Sequence, residues 1–488
     1  MAVTYKIPEE IKKFKPAGTV IKKFDDRYYV YEFTSYWDKT TKKVKTKTGK
    51  MLGKITKENG YIKNQNSEEK SDYEITTKEY GSYCMVNETC LEVLNDLTEC
   101  FKIDVAKQIY VLAIINLING YTALKYCKKI YDHSLLSEIY KDIHISKDAL
   151  AEFLKGLGCR QNCVNKYYSL QIKKSSNEMA IDGHVVGSYS HENELSEFGA
   201  KYSKLDSKQF NLLTILDIKT GYPIKSKCCR GSELDKVAVS DFIDEDLEEN
   251  KHLFIMDRGF YSEENISEIS KKHFYLIPLS QNLKSYKYAV TGLEFKEEFV
   301  YRSKSVNKLI KWKLTEFNKK KILIFKDENL SSILKTKYLA NIEEQVPEFT
   351  KEEYESTKNL FGIIILQTNI IDKNPKEIYE TYKKRWDIET YYDGLKNDLD
   401  FNAIGLQDYY EIQGYSFILT LTGKMWRIIS EKISTLKNDK RFFSFPDLIV
   451  EGNFIKMVKN NNKWKVDNPK LNKLELLQKL GFKSTVDF

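Results

Sequence analysis

Two short apolar stretches that each end in an aspartate decide the fold class of this chain: Met179-Ala180-Ile181-Asp182 and Leu253-Phe254-Ile255-Met256-Asp257. Continuous apolar runs of this length are typical of strands that are buried on both faces of a sheet. Around them the pattern predicts further strands at 211–217, 222–227 and 274–278 and helices at 235–247 and 262–272. The order β-β-β-α-β-α-β predicts an α/β core in which helices cover a mixed five-stranded sheet.

Both aspartates are followed by residues that favour a turn, Gly183 after Asp182 and Arg258-Gly259 after Asp257. The carboxyl ends of neighbouring strands meet at one edge of an α/β sheet, where ligands bind. Carboxylate oxygens at such an edge suit Mg²⁺, a hard cation that prefers oxygen ligands. Two aspartates that only form turns are the alternative interpretation.

A third candidate acid lies on a long helix predicted from 374 to about 398, with Asn374 as its N-cap. Counted from the tyrosine, the offsets 3, 7 and 14 put four residues on one stripe about 60° wide. They are Tyr382, Arg385, Glu389 and Lys396. One carboxylate among groups that bind phosphate suits a metal-dependent enzyme acting on a phosphate backbone, whereas a solvated, salt-bridged helix face is the alternative.

The N-terminal region is basic and patterned as strands between residues 18 and 57, followed by a polar linker or loop at 59–80. Lys43, Lys45 and Lys47 alternate with Val44 and Thr46, so on a strand the three lysines share one face. Such a row favours contact with nucleic-acid phosphates. The competing interpretation is an edge strand that uses lysine to prevent aggregation.

Several of these segments together resemble DDE transposases of bacterial insertion sequences, in the insertion-sequence-four superfamily. The signature Tyr-x2-Arg-x3-Glu-x6-Lys is similar to 382–396, and the two aspartate motifs resemble 180–182 and 256–260. Thr220-Gly221-Tyr222-Pro223 and Gly231-Ser232-Glu233-Leu234-Asp235 resemble a further family segment, with serine at 232 where asparagine is usual. The stretch 29–54, including Ser35-Tyr36-Trp37-Asp38-Lys39, is similar to the start of one branch of these enzymes.

The resemblance implies a ribonuclease H-like catalytic core interrupted by a β-rich insertion. It implies that Asp182, Asp257 and Glu389 are catalytic and bind two Mg²⁺ ions, for which Mn²⁺ can substitute. It also implies double-stranded DNA partners, transposon ends and target, and a homodimer in the synaptic complex. Tyr382, Arg385 and Lys396 then position the phosphates of the transposon end. One active site can nick the end, form a hairpin and join the end to target DNA.

These patterns divide the chain into six segments. They are 1–85 (N-terminal β-rich basic DNA-binding region and linker), 86–175 (helical domain), 176–283 (first portion of the ribonuclease H-like core), 284–370 (β-rich insertion), 371–430 (second portion of that core, with the Glu389 helix) and 431–488 (C-terminal region, a candidate for dimerisation).

Four further residues near these motifs are candidates for a role in the site. Trp386 could stack on a base but is expected in the core, and Trp312 could receive a flipped base. Arg258 either contacts DNA or pairs with Asp257. His184 is expected to pack beside the site rather than to bind metal.

Length, charge and hydropathy limit the function classes. The 488 residues carry a formal net charge of +8, which by itself does not prove a nucleic-acid partner. The longest apolar runs are too short to cross a membrane and the start has no secretory h-region, so we expect a cytoplasmic protein with free cysteines. The resemblance implies that it is bacterial and nucleoid-associated. An active transposase is the first hypothesis. A structure-specific nuclease without joining activity and an inactive DNA-binding relative are the alternatives.

Overall fold

The computed structural model describes most of the chain and divides it into two compact units, 1–76 and 77–488. The described residues are 7–24, 27–38, 43–63, 75–141, 143–190, 192–198, 208–231, 242–243, 251–302, 306–436, 444–461, 463–467 and 474–485. Within them, the side chains of residues 36–38, 43, 45–47 and 63 are also outside the description.

The N-terminal unit is an antiparallel sheet preceded by a short helix. Its elements are α1 (Glu9–Lys12), β1 (Thr19–Phe24), β2 (Arg27–Asp38), β3 (Lys43–Thr56) and β4 (Gly60–Lys63), and the strands pair in that order. Ile11, Ile21, Val30 and Ile55 form its apolar core. The predicted strands are confirmed.

The three lysines of the predicted phosphate-binding face lie on one strand of this unit. Lys43, Lys45 and Lys47 belong to β3, where their backbones pair with β2. Their side chains lie outside the described part of the chain. The shared lysine face therefore stays a prediction.

The second unit begins with a short strand and a helical block. These elements are β5 (Thr77–Glu79), α2 (Gly81–Thr89), α3 (Leu91–Cys100), α4 (Ile103–Asn119), α5 (Leu124–Asp132), α6 (Leu136–Ile139), α7 (Lys147–Cys159) and α8 (Gln161–Lys174). The predicted cap is present, because the Ser146 hydroxyl accepts a hydrogen bond from the Ala149 amide at the start of α7. The block forms one hydrophobic core with the sheet that follows.

The predicted core strands are present and adjacent in one sheet. The elements are β6 (Glu178–Ser188), β7 (Gln209–Asp217), β8 (Pro223–Arg230), β9 (Leu253–Met256), α9 (Glu263–Lys272) and β10 (Phe274–Pro278). Their order is β8-β7-β6-β9-β10, with β6, β9 and β10 parallel and β7 and β8 antiparallel to their neighbours. Most of the helix predicted at 235–247 lies outside the described residues.

The segment predicted as a β-rich insertion extends this same sheet, so the sheet is not limited to five strands. Its elements are α10 (Lys284–Val290), β11 (Glu297–Arg302), β12 (Asn307–Phe317), β13 (Lys320–Asp327), α11 (Glu328–Glu343), α12 (Lys351–Thr357) and β14 (Ile363–Thr368). β14 pairs with β10, and β13, β12 and β11 follow outward. The sequence did not predict α11, because it buries only Ser331 and so has no regular apolar stripe.

The remaining chain returns across the sheet and the helical block. It forms α13 (Pro375–Lys383), α14 (Trp386–Asn397), β15 (Ala403–Ile404), α15 (Tyr409–Thr435), α16 (Phe445–Asn453), β16 (Lys456–Asn460), β17 (Lys463–Val466) and α17 (Leu474–Lys479). Helix α15 crosses α7 closely at two glycines. A Cβ on Gly158 would lie 1.9 Å from the Tyr410 carbonyl oxygen, and one on Gly414 would lie 2.0 Å from that of Leu154.

The C-terminal region packs on its own chain. β16 pairs with β5 near the start of the second unit, and Leu476, Leu477, Leu480 and Phe482 are buried in the main core. These apolar side chains are therefore covered within one molecule. A role of this region in dimerisation stays a prediction.

None of the helices in the described ranges is by itself long and apolar enough to span a membrane. The pair α4 and α5 satisfies the length and composition criteria only when joined, and the two helices meet at a bend of 93°. All eight cysteines are free thiols, as expected.

Candidate active site

Adjacent strands bring the two candidate aspartates side by side. The parallel pairing of β6 with β9 ends at Ile181 opposite Met256, and Asp182 and Asp257 are the next residue on each strand. Parallel strands lie about 4.8 Å apart. The two carboxylates therefore start from neighbouring positions at the point where β9 stops.

Asp182 is not at the end of its strand, which corrects the sequence prediction. β6 continues to Ser188 because its antiparallel pairing with β7 persists as far as Gly187 opposite Gln209. Only the pairing on the β9 side stops. Asp182 thus lies at the point where pairing with β9 stops, while Asp257 leads into the short 3₁₀ turn Arg258–Phe260.

The helix predicted to carry the third acid is broken in two, so the prediction of one long helix is wrong. The cap is as predicted: Asn374 and Glu377 form a capping box at the start of α13. α13 ends at Lys383 and α14 begins at Trp386. Between them the Arg385 amide donates to the Tyr382 carbonyl, an i→i+3 bond that tightens the turn and locally changes the 100° spacing.

Arg385 connects two of the three acids. Its Nη2 lies 2.7 Å from Glu389 Oε1 and its Nη1 lies 3.7 Å from Asp182 Oδ2. The guanidinium carbon lies 5.9 Å from the centre of the Tyr382 ring. The side chain of Arg385 is only 13% exposed, whereas that of Glu389 is 36% exposed. The arginine is held in place and the glutamate is accessible.

The electrostatics of Arg385 include all three acids. Burial acts to lower the pKa of Arg385, but Tyr382 and the carboxylates of Asp182, Asp257 and Glu389 outweigh it and raise that pKa above its usual value. Burial also acts on the phenol, where it raises the pKa of Tyr382. Tyr382, Arg385 and the three acids therefore form one interacting group, although the pairwise contacts join only some of its members.

Tyr392 is a site residue that the sequence pattern did not single out. Its hydroxyl donates to the Asp182 carbonyl at 2.8 Å, which ties α14 to β6 at the acid. The His184 ring stacks on Tyr392 with centroids 4.9 Å apart. Burial lowers the pKa of His184, and the exposed Lys396 lowers it further, so Lys396 lies near this end of the site. One feature of the sequence could have identified Tyr392: it lies about one helical turn after Glu389, on the same side of the helix.

His184 packs beside the site, as expected, but Trp386 does not lie in the core. Trp386 is 67% exposed, because the break between α13 and α14 turns it away from the sheet. Trp312 is half-buried on β12. Arg258 is exposed and makes no ion pair with an acid in the described ranges. The segment with Ser232 lies outside them.

The donor chemistry of the site fits a hard divalent cation, although the carboxylates are not gathered as a closed cage. In the described portion of the chain, no group of three His, Cys, Asp or Glu side chains is placed to hold one ion. The three acids nonetheless supply only oxygen donors, which Mg²⁺ prefers. Asp182 and Glu389 both contact the Arg385 guanidinium. The two carboxylates therefore face one shared position that holds a positive charge.

Comparison with known proteins gives a family for this arrangement. No curated protein matches the chain. Among solved structures, the chain is similar to the piggyBac transposase in a synaptic complex with hairpin DNA, at 11% identity and a TM-score of 0.39, over 77% of this chain and 79% of that chain. The transposase DDE domain family matches residues 173–421, just over half of the chain. That range holds Asp182, Asp257 and Glu389, and the chain therefore belongs to the transposase DDE domain family, the DNA transposases with a DDE domain.

Proposed function

We propose that this transposase binds the inverted-repeat ends of an insertion sequence and moves them by cut-and-paste cleavage and strand transfer. Asp182, Asp257 and Glu389 are the catalytic residues. The observation that carries the proposal is the register of β6 and β9, which sets the two aspartates side by side, together with Arg385, which connects Asp182 to Glu389. Membership in the insertion-sequence-four superfamily belongs to the same proposal.

The proposed catalytic core is ribonuclease H-like. The five adjacent strands in the order β8-β7-β6-β9-β10 support it, since three antiparallel strands are followed by two parallel ones. The acids come from β6, from the end of β9 and from α14. Strands β11 to β14 lie between the second and third acid in sequence and extend the sheet on the β10 side.

The three acids would hold two Mg²⁺ ions, for which Mn²⁺ can substitute. When bound, such ions stabilise both the attacking and the leaving oxygen of an in-line phosphoryl transfer. The accessible Glu389 and the neighbouring Asp182 and Asp257 are the oxygen donors. Arg385 contacts Asp182 through Nη1 and Glu389 through Nη2, and in this way it orients both carboxylates.

The basic residues around the acids bind the DNA backbone in this proposal. Lys396 and Arg258 are exposed, and Arg385 is held against Tyr382. Guanidinium and ammonium groups form strong charge-assisted bonds with phosphate oxygens. In the N-terminal unit, Lys43, Lys45 and Lys47 would add sequence-independent contacts. A homodimer that pairs two ends, in a bacterial cytoplasmic, nucleoid-associated enzyme, completes the proposal.

The test uses labelled duplex DNA that carries the inverted repeats flanking the gene, with a supercoiled plasmid as target. The purified protein with Mg²⁺ should cleave the ends and join them to the plasmid, and no joining should occur with EDTA. Cleavage without joined product would favour the structure-specific nuclease. Binding without cleavage in Mg²⁺ or Mn²⁺ would favour an inactive relative.

A further inference from the structure

A half-buried lysine at the end of α13 has no role in the site described so far. The Nζ atom of Lys383 lies 5.1 Å from the centre of the Tyr379 ring. Within the described residues this ammonium makes no ion pair and no side-chain hydrogen bond. Lys383 directly follows Tyr382 and is two residues before Arg385. Lys383 is thus a cation on the segment that leads to Arg385, and within the described residues no carboxylate contacts it.

The ring under Lys383 is fixed by the strands between the second and third acid. Tyr379 is only 1% exposed. Its ring centre lies 5.0 Å from that of Phe325, 5.4 Å from Tyr301 and 5.8 Å from Phe299. These three aromatic residues belong to β11 and β13. The aromatic residues of β11 and β13 therefore fix the ring on which the Lys383 ammonium lies.

The charges around Lys383 leave an excess of positive charge. Lys308 on β12 forms an ion pair with Asp327 at 3.1 Å, and Asp327 also caps α11 by accepting the Leu330 amide. Burial lowers the pKa of Lys383. The positive charges of Lys308 and Arg385 lower it further, whereas the Asp327 carboxylate acts to raise it. Two ammonium groups therefore share the influence of a single carboxylate, and Lys383 also experiences the charge of Arg385.

A partly desolvated ammonium without a partner costs free energy, and a phosphate oxygen would offset that cost. We propose that Lys383, with Lys308 beside it, forms a phosphate-binding site that holds a backbone phosphate of the DNA strand on the β11–β13 side of the acids. The inference rests on the proposed function, since it assumes that DNA occupies this face. It adds a positioning role for β11 and β13, whose aromatic residues hold the Tyr379 ring under Lys383.

The test is the salt dependence of DNA binding. A fluorescein-labelled 30-base-pair duplex of random sequence is titrated with each variant at several NaCl concentrations, and log K is plotted against log [NaCl]. Loss of one phosphate contact lowers the magnitude of the slope by about 0.9 for B-form DNA. Lys383→Met should show this decrease, and Lys383→Arg should restore the slope of the unmodified protein. Lys376→Met, at an exposed lysine on the same helix, is the matched control and should leave the slope unchanged.

A second variant tests the local charge without removing a lysine. Asp327→Asn keeps an oxygen that can cap α11 and removes the carboxylate near both ammonium groups, so duplex binding should tighten. Thermal melts of all variants verify folding. Unchanged slopes for Lys383→Met in a protein that binds the duplex would overturn the inference and leave the proposed function standing. A protein that binds no duplex at all would refute both.

Discussion

Two clusters of buried charge in the second unit differ in whether each charged side chain is paired within the protein. We call a cluster closed when all its charges are paired and buried, and open when a charged side chain is accessible. In the helical block, Lys424 of α15 donates to Gln171 at 2.6 Å and lies 3.3 Å from Asp96, which also pairs with Lys174 at 2.6 Å. Lys424 and Asp96 are 8% and 9% exposed. At the acid site, Arg385 is nearly as buried, but its partner Glu389 is 36% exposed.

The difference separates a structural network from a site that can bind a ligand. Around Lys424, each buried charge has partners within the protein, as a buried ion pair needs in order to be tolerated. Around Arg385, Glu389 retains accessible oxygen and Asp257 has no ion-pair partner in the described ranges. A closed network should matter for stability, and an open one for activity.

The largest expected effect is on activity at the open site. Glu389→Gln removes one charge without changing the shape of the side chain, so cleavage of the labelled ends should fall by more than about 100-fold, because even changes to the outer partners of metal ligands cost 10- to 100-fold. Cleavage rates in Mg²⁺ and in Mn²⁺ are the measurement. Asp387→Asn, on the same helix, is the control and should cleave normally. Near-normal cleavage by Glu389→Gln would remove Glu389 from the catalytic set.

The same prediction extends to the two aspartates, whose variants Asp182→Asn and Asp257→Asn should lose cleavage like Glu389→Gln while still binding DNA. Removing negative charge beside Arg385 leaves the cations that we propose to bind phosphate in place, so binding affinity for the ends should be kept or increased. Gel-shift titrations measure it. Loss of binding in parallel with loss of cleavage, in a folded protein, would argue that the aspartates hold the structure rather than the chemistry.

At the closed network the expected effect is on stability. Asp96→Ala leaves Lys424 buried with only Gln171, so the free energy of unfolding should fall by about 3 to 5 kcal/mol. Urea unfolding followed by circular dichroism measures this. Glu152→Ala, at an exposed acid in the middle of α7, should change it by less than about 0.5 kcal/mol. A small effect of Asp96→Ala would mean that Lys424 finds water or another partner when Asp96 is lost.

The same network predicts a dependence on pH. Burial opposes ionisation of Asp96, but hydrogen bonds from Lys174 and Gln171 outweigh it and lower its pKa below 3.8. The unfolded state therefore binds the proton first, so the stabilisation is fully present well above the ordinary aspartate pKa of about 3.9 and is lost as the pH falls toward the lower folded-state pKa. The unmodified protein should lose more stability than Asp96→Asn between about pH 5 and pH 3. Equal losses in urea titrations at the two pH values would contradict this.

The sequence predicted the strands of the core but not the place of every residue on them. Apolar runs such as 253–256 are recognisable without a structure, because strands buried on both faces need them. The position of Asp182 within β6 depends on where β9 stops pairing, and no local pattern indicates that. The sequence predicted the order of the three acids along the chain, but it did not predict that Arg385 contacts two of them.

The helix break shows a second limit. Residues 383–386 contain no proline or glycine, so no ordinary helix stop is visible. The break results from i→i+3 bonding in the folded chain, and it places Trp386 in solvent although a tryptophan on such a helix is expected to be buried. The pairing of β16 with β5 joins residues such as Lys456 and Glu79, which are 377 positions apart, and likewise leaves no local signal.

A moderate effect is expected at the junction between β6 and α14. Tyr392→Phe removes the hydrogen bond to the Asp182 carbonyl and should destabilise the fold by about 1 kcal/mol. Because that bond helps to place Asp182, cleavage should fall by a few fold while DNA binding is unchanged. Tyr126→Phe, at an exposed tyrosine, is the control for both measurements. Cleavage equal to that of the unmodified protein would show that the backbone at Asp182 is held by the sheet alone.

The smallest expected effect on stability is at Trp386. A comparison with a second tryptophan, Trp426, tests it most directly. Trp426 is 6% exposed, donates to Asp398 at 2.9 Å and packs on Gly394, so Trp426→Ala should cost about 3 to 5 kcal/mol. Trp386 is 67% exposed beside Arg385, so Trp386→Ala should change the free energy of unfolding by less than about 0.5 kcal/mol. Urea unfolding of both variants decides this. If Trp386→Ala destabilises the protein as strongly as Trp426→Ala, Trp386 belongs to the closed region of the fold. If stability is kept, the Trp386 ring contributes little to the fold.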